Sequence, residues 1–464
     1  MRATTLRERR FKNKDLYKIL SLITKKSLAI VADKIKTTPP PIITIGVWQK
    51  NDNNFIRRNV KQTVWDFVLH EAMGLISNTK EFKTLLNVIK FDQVISTQIN
   101  TLVGTCIGRS TFRIENVIPK LTKLFLSDEG IIEFDDSLFT TEYLNIENSL
   151  YTKCIKLERI TPLCGFYSDT SEILLDDNIS IVELSDREII EALKLGIRIG
   201  LSIGDTDLIF NIQKFAIKFS CELQKVTGET VKVDKIDDQH PFVKGIVEDN
   251  ILSSLRIFKA GKVYPLTTIT KSESIFHQGT SYTISKSVKP SSFRTYQLLR
   301  NEIEDFVSLW NLISKISLPD KHFLSVAMRR FSQANERERI EDKIIDLAIC
   351  AEALFLGSGS SSDGELSYRL SHRAAMFIEE KAEKQKVIFK FMKDAYDVRS
   401  RIVHGDALKL PKKEDGSECS LPEFSDVLED YLRLSIKKML NLLADTSSPI
   451  KKIDWTSIIF PTVR

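Results

Sequence analysis

The stretch Tyr396-Asp-Val-Arg-Ser-Arg-Ile-Val-His-Gly405 closes a helical repeat and sets the class of the C-terminal third. Val387, Phe391, Ala395, Val398 and Ile402 recur at three- and four-residue steps, which predicts a helix from about 385 to His404. Gly405 follows where a left-handed residue commonly ends a helix. Arg399, Arg401 and His404 fall within six residues, close enough to engage a phosphate and move a proton. On an ideal helix Arg399 and His404 are turned apart by about 140° and by about 7.5 Å along the axis. The reach of arginine and unwinding at the helix end close part of that gap. His404 would stand in the last turn, where the helix dipole favours imidazolium, which suits a general acid or a phosphate contact. The bland alternative is surface or capping duty. An Asp397–Arg401 ion pair, four residues apart, would account for the second arginine without chemistry.

Neighbouring segments repeat the helical spacing. Leu299, Ile303, Phe306, Val307, Trp310 and Ile313 predict one helix, which Leu318-Pro319-Asp320 ends while starting another. Phe323, Val326, Ala327 and Phe331 line the second, and Ile344, Ile345, Ala348, Ala351 and Phe355 a third. The tract Gly357-Ser-Gly-Ser-Ser-Ser-Asp-Gly364 reads as a loop. A fourth helix is expected over 365–381. A polar loop from Pro411 to Leu421 precedes a last helix carrying Phe424, Val427, Leu428, Tyr431, Leu432, Ile436 and Leu440. Such stripes must bury against one another, so residues 293–445 read as a helical bundle, with 446–464 as a tail.

Upstream the pattern differs. Phe215, Ile217, Phe219, Cys221 and Leu223 alternate with Lys214, Lys218, Ser220 and Glu222, the mark of a half-buried strand. Ile173-Leu-Leu, Ile179-Ser-Ile-Val and Val231-Lys-Val read as shorter strands, and Ser185-Asp-Arg-Glu188 has the spacing of a capping box. Residues 126–290 are therefore expected to form a mixed α+β domain. Gly196 and Gly200 bracket a short stretch there, but no phosphate-binding loop follows a strand. Residues 1–125 read as a mostly helical, basic region. Leu16, Ile19, Leu20, Ile23 and Leu28 form a helix stripe, stopped by Pro39-Pro40-Pro41. Residues 1–36 hold eleven Lys/Arg against three Asp/Glu, a face for nucleic acid or membrane, or simply a solvated one. The fold class expected is multidomain α+β: an N-terminal helical region, a middle mixed domain and a C-terminal all-α bundle.

Composition narrows the function classes. The chain has 464 residues, enough for two or three domains, and is 42% hydrophobic and 28% charged. A net charge of +5 permits an anionic partner without requiring one. Cysteines at 106, 154, 164, 221, 350 and 419 form no CxxC pair, and six scattered histidines show no zinc spacing. No signal peptide or membrane-crossing apolar run is visible, so a cytoplasmic protein with reduced thiols is expected.

Residues from about 320 to 440 resemble the HEPN superfamily, specifically its ApeA-like branch. The signature is arginine, four to six residues, then histidine, here Arg399-Ser-Arg-Ile-Val-His404, with Tyr396 before and Gly405 after. Ala327-Met-Arg-Arg-Phe331 looks like the branch's Arg-Phe segment. Asp342–Leu354 resembles its acidic-start helix, with Ala351 in place of the usual leucine, and Leu366–Ala375 is similar to its next helix. The resemblance implies a homodimeric helical bundle that cleaves RNA without metal or cofactor. It gives Arg399 and His404 the catalytic roles, with 2′,3′-cyclic phosphate and 5′-hydroxyl products. It further implies that Glu352 orients Arg399 or His404, or is merely solvated or ion-paired. Arg373 would face the same cleft or pair within its own helix. Arg329 and Arg330 would track an RNA backbone or solvate their helix, and Tyr396 would pack between helices or stack on a base. A setting in bacterial antiphage defence or a toxin-like system is expected, with an unidentified trigger or regulatory partner at the N-terminal or middle region. The competing readings are a non-catalytic HEPN-like module that binds RNA, nucleotides or protein, and a membrane-surface protein using residues 1–36.

Overall fold

The computed structural model describes residues 11–51, 54–105, 108–127, 131–194, 214–228, 246–266, 268–272, 274–276, 281–283, 296–316, 322–357, 365–411, 417–444 and 453–459. Helix α1 (Lys14–Thr37) is capped by Asn13, whose side chain accepts from the Leu16 amide at 2.8 Å. Its predicted stripe is buried, extended by Val31, and the helix stops one residue before a cap at Thr38 and the prolines. The lysines of its other face are largely taken by carboxylates: Lys25 by Asp136, Lys26 by Glu81, Lys34 by Glu71 and Lys36 by Asp33. That favours the solvated-face reading.

The N-terminal region is not helical throughout. Strands β1 (Ile42–Asn51) and β2 (Asn54–Thr63) form a long antiparallel ribbon. Helices α2 (Asp66–Ile76), α3 (Lys80–Phe91) and α4 (Gln93–Ser96) follow. A second hairpin, β3 (Leu102–Thr105) and β4 (Gly108–Thr111), precedes α5 (Val117–Lys123) and α6 (Asp136–Tyr151). The helices bury Leu20, Ile23, Leu85, Leu121 and Phe139 in one core, which also takes Ile155, Leu157 and Leu223 from the middle sheet.

The middle region comprises β5 (Cys154–Cys164), β6 (Phe166–Ser168), β7 (Glu172–Asp176), β8 (Ile179–Glu183), α7 (Asp186–Lys194), β9 (Phe215–Gln224), β10 (Val226–Thr227), α8 (Ile246–Phe258), β11 (Tyr264–Pro265), β12 (Thr268–Ser272), β13 (Ser281–Thr283) and β14 (Tyr296–Leu298). The main sheet runs β13-β12-β5-β9-β8-β7, with β11 also on β5, and its pairings are antiparallel. The alternation of β9 is borne out on one face, where Phe215 and Ile217 are buried. The opposite face is also covered at that end: Ala216 packs with Phe55 of the ribbon tip and Ile189 of α7. The capping box forms, with Ser185 and Glu188 exchanging side-chain and amide hydrogen bonds. Val231-Lys-Val and the Gly196–Gly200 stretch lie outside the described residues.

The C-terminal region is a bundle of α9 (Ile303–Lys315), α10 (Phe323–Ala334), α11 (Ile340–Leu356), α12 (Leu366–Ile378), α13 (Ala382–His404), α14 (Leu421–Ala444) and the short α15 (Trp455–Ile459). Leu318-Pro319-Asp320, residues 358–364 of the glycine-serine tract and 412–416 of the polar loop lie outside the described residues. Three sequence expectations shift here. Residues 296–298 pair in parallel with β6 rather than starting a helix. Leu299 precedes the helix and is exposed. The buried stripe of α13 is Ile388, Met392, Ala395 and Val398, with Phe391 at its edge and Val387 in solvent. Adjacent apolar pairs Val387–Ile388 and Phe391–Met392 made two stripes compatible with the spacing, and packing against α11 and α12 selects the second. Helix α11 runs through the middle of the bundle, burying Ile344, Leu347, Cys350, Leu354 and Phe355.

Two helices belong to both cores. In α8, Ile251, Leu252 and Leu255 face the sheet while Ile257 enters the bundle core, and in α9, Phe306 and Trp310 face the sheet while Ile313 enters the bundle. The joint is charged as well as apolar. Arg256 of α8 is 2% exposed and donates to the Ser332 carbonyl and hydroxyl of α10 and to Glu336 just after it. From α14, Arg433 Nε donates to the Arg256 carbonyl at 2.9 Å and Lys437 donates to the Phe258 carbonyl, so two cations close the C-terminal end of α8.

Candidate functional site

Helix α13 ends as its sequence requires. Gly405 has φ +74°, the Asp406 amide donates to the Arg401 carbonyl at 2.9 Å, and the Gly405 amide donates to the Ile402 carbonyl at 3.4 Å. These are the two bonds of a Schellman closure, and they make His404 the last helical residue. Its side chain is exposed, at the negative end of the helix dipole. Val403 beside it is 52% exposed.

Arg399 points elsewhere. Its Nη2 lies 3.8 Å from Glu352 Oε1 on α11, with the two side chains 29% and 30% exposed. That separation is a charge contact and too long for a hydrogen bond. The Arg399 Nε–H is buried without a hydrogen-bond partner. The guanidinium is therefore oriented by Glu352 through charge and makes no hydrogen bond among the described residues, while its Nε–H is closed off from solvent.

The other site residues separate. Arg401 donates from Nη1 to the Ala407 carbonyl at 3.1 Å, so it ties down the chain after the helix instead of pairing with Asp397. The Schellman turn brings that carbonyl back within reach, which helix spacing alone did not anticipate. Tyr396 is half-buried against the bundle core, the first of the two roles weighed for it. Arg373 donates to the Phe355 carbonyl at 2.7 Å and lies 5.1 Å over the Trp455 ring, joining the end of α11 to α15. Arg330 is held by Asp346 at 2.9 Å, and Asp346, 3% exposed, also takes Arg337 at 2.6 Å. Arg329 is exposed on the same helix. The structure thus associates Arg399 with Glu352, leaves His404 open at the end of the same helix, and commits Arg330, Arg373 and Arg401 to the bundle itself.

Sequence reasoning missed the paired charges under the bundle. Lys343 of α11 contacts Glu429 of α14 at 2.6 Å, and Glu429 also takes Arg433. The signal was present as charges inside apolar stripes, Lys343 next to Ile344 and Arg433 next to Leu432. Among the described residues no three His, Cys, Asp or Glu side chains gather as a metal site, and no helix is long and apolar enough to cross a membrane.

No family model, curated protein or solved structure matches this chain.

Proposed function

We propose that the chain is a metal-independent endoribonuclease of HEPN type, acting as a homodimer in a bacterial antiphage or toxin-like system. The observation that supports this reading is the open end of α13: His404 exposed at the helix terminus, and Arg399 five residues earlier, oriented by Glu352 through charge. In the reaction, the RNA 2′-hydroxyl oxygen attacks phosphorus and the bond to the 5′ oxygen breaks. The proton lost from the 2′ oxygen and the proton gained by the 5′ oxygen both need a carrier, and His404 is the carrier at this site. Arg399 offsets the charge that builds on the phosphoryl oxygens, where a fixed cation favours the transition state over the ground state. Glu352 positions Arg399.

One helix turns the two side chains apart, so a second copy completes the site: the arginine of one protomer stands beside the histidine of its partner. Val403 and Leu408, each more than 40% exposed at or just after the end of α13, supply apolar area for that pairing. The N-terminal and middle regions restrain the nuclease or respond to a trigger, through the joint that α8 and α9 make with the bundle.

The test compares the parent chain with His404→Ala on an RNA substrate in the presence of a chelator, with circular dichroism to establish folding. Cleavage by the parent and a loss of at least about 100-fold in the variant are expected for a proton carrier. Equal cleavage by both removes His404 from the chemistry. Binding of RNA by both with no new 5′-hydroxyl ends favours a non-catalytic module, in which Arg399 serves only its contact with Glu352.

A further inference from the structure

We infer that the β1–β2 ribbon is a second RNA-binding element, one that grips the phosphate backbone along the open edge of β2. The described residues of the ribbon carry Lys50, Arg57, Arg58 and Lys61 and no carboxylate. Lys50 is taken by Asp186 at 2.7 Å. Arg57, Arg58 and Lys61 are exposed and make no ion pair among the described residues. Three cations within five residues, with no ion pair among the described residues, hold a positive potential that favours an anionic partner.

The backbone geometry fits a long anion better than a point charge. The register pairs Arg57 with Trp48, Arg58 with Val47 and Lys61 with Thr44. Paired residues share a face, so Arg57 and Lys61 project from one face, about 13 Å apart along the strand, and Arg58 from the other. The ribbon has only two strands, so the outer edge of β2 is unpaired among the described residues. A strand of RNA following that edge meets Arg58 and Lys61 from opposite faces and outward-pointing amides, the donors that commonly bind phosphate, while the Arg57 guanidinium lies across the ribbon behind them. Arg57 is also held in place. A methyl group at Gly46 would lie 2.1 Å from Arg57 Nε, so the guanidinium crosses the ribbon through the space that glycine leaves. The tip is anchored, with Phe55 3% exposed against the middle sheet, which makes the ribbon a fixed arm. Edge cations also discourage strand-to-strand aggregation, and the aliphatic face of Ile43, Ile45, Val47, Ile56 and Val60 would suit a protein strand. Neither alternative requires three cations that lack an ion-pair partner among the described residues.

The choice of RNA over DNA rests on the nuclease reading, whereas the grip on phosphates does not. The test measures binding of a labelled unstructured RNA oligonucleotide across a salt series, in full-length protein carrying His404→Ala so that the RNA stays intact. Replacing Arg57, Arg58 and Lys61 together by Gln is expected to weaken binding at least about tenfold and to flatten the slope of log affinity against log salt by about 2, since each phosphate contact on a single strand contributes roughly 0.7. Arg57→Lys with Arg58→Lys keeps the slope, which separates charge from misfolding. An unchanged slope in the Gln variant, or no RNA binding by the parent background, overturns the proposal. Equal binding of a polyglutamate peptide, lost in the same variant, also overturns it in favour of an acidic protein partner. Tighter binding of DNA of the same sequence overturns the choice of RNA. RNA held through the ribbon but never cut would sink the nuclease reading and leave this one standing.

Discussion

At the scale of single residues, His404 and Arg399 owe their different surroundings to five helical steps. His404 ends α13 in solvent, and Arg399 is turned onto Glu352 of α11. Removing the imidazole therefore disturbs little packing. His404→Ala is expected to change stability by less than about 0.5 kcal/mol while abolishing cleavage, a split that thermal melts and RNA assays resolve together. Glu352→Gln keeps the shape beside Arg399 but removes the charge that orients it. Cleavage is expected to fall about tenfold with little change in stability, and unchanged activity would show that Arg399 needs no positioning. Gly405 tests the helix end. A β-carbon there meets open space but must adopt φ +74°, so Gly405→Ala is expected to lose about 1 kcal/mol by chemical denaturation, from backbone strain alone.

At the scale of elements, what was legible followed from local pattern. The stripe of α1, the alternation in β9, the capping box before α7 and the glycine after α13 each declare themselves within a few residues, and each forms. The ribbon was missed although β-branched residues alternate along it and Asn51-Asp-Asn-Asn54 is a turn signal, because its flanks read as helix. The stripe of α13 held at Ala395 and Val398 but was one residue out in its first half, since only the surrounding helices choose between Val387 and Ile388. The partners of Arg330, Arg373 and Arg401 were illegible, because each lies on an element whose approach is set by tertiary packing. Helix α7 carries a pH prediction. Burial alone would raise the Glu188 pKa, but the hydrogen bonds from Lys218 and Ser185 outweigh it and hold the carboxyl at about 2. A carboxylate held below its unfolded value contributes stability that is complete above the ordinary value of 4.5 and is lost as pH falls towards 2. Glu188→Gln should lower stability at neutral pH by about 1 kcal/mol, solvent screening taking the rest, and flatten the acid limb between those values, as melts across pH would read.

At the scale of the molecule, the middle sheet and the bundle are joined by two helices that pack into both cores and by buried charges that cross between them. Arg433 is the centre of that joint, contacting the Arg256 carbonyl, Glu429 and Asp430. Arg433→Met leaves Lys437 alone at the α8 terminus and Lys343 alone on Glu429, and is expected to lose about 3 kcal/mol. The shared cores also predict that sheet and bundle unfold in one calorimetric transition, whereas two separated transitions would mean that the joint does not couple them. Such coupling is what a regulated nuclease requires, since a change at the sheet or ribbon must reach the end of α13. Whether that end cuts RNA is decided most directly by the chemistry of the fragments made in the presence of a chelator. Attack by the 2′-hydroxyl, with Arg399 and His404 serving it, leaves 2′,3′-cyclic phosphate and 5′-hydroxyl ends, and a 2′-deoxy substitution at the cut site should abolish cleavage there. Fragments carrying 5′-phosphate and 3′-hydroxyl ends, or cleavage indifferent to the 2′-deoxy substitution, would rule that mechanism out.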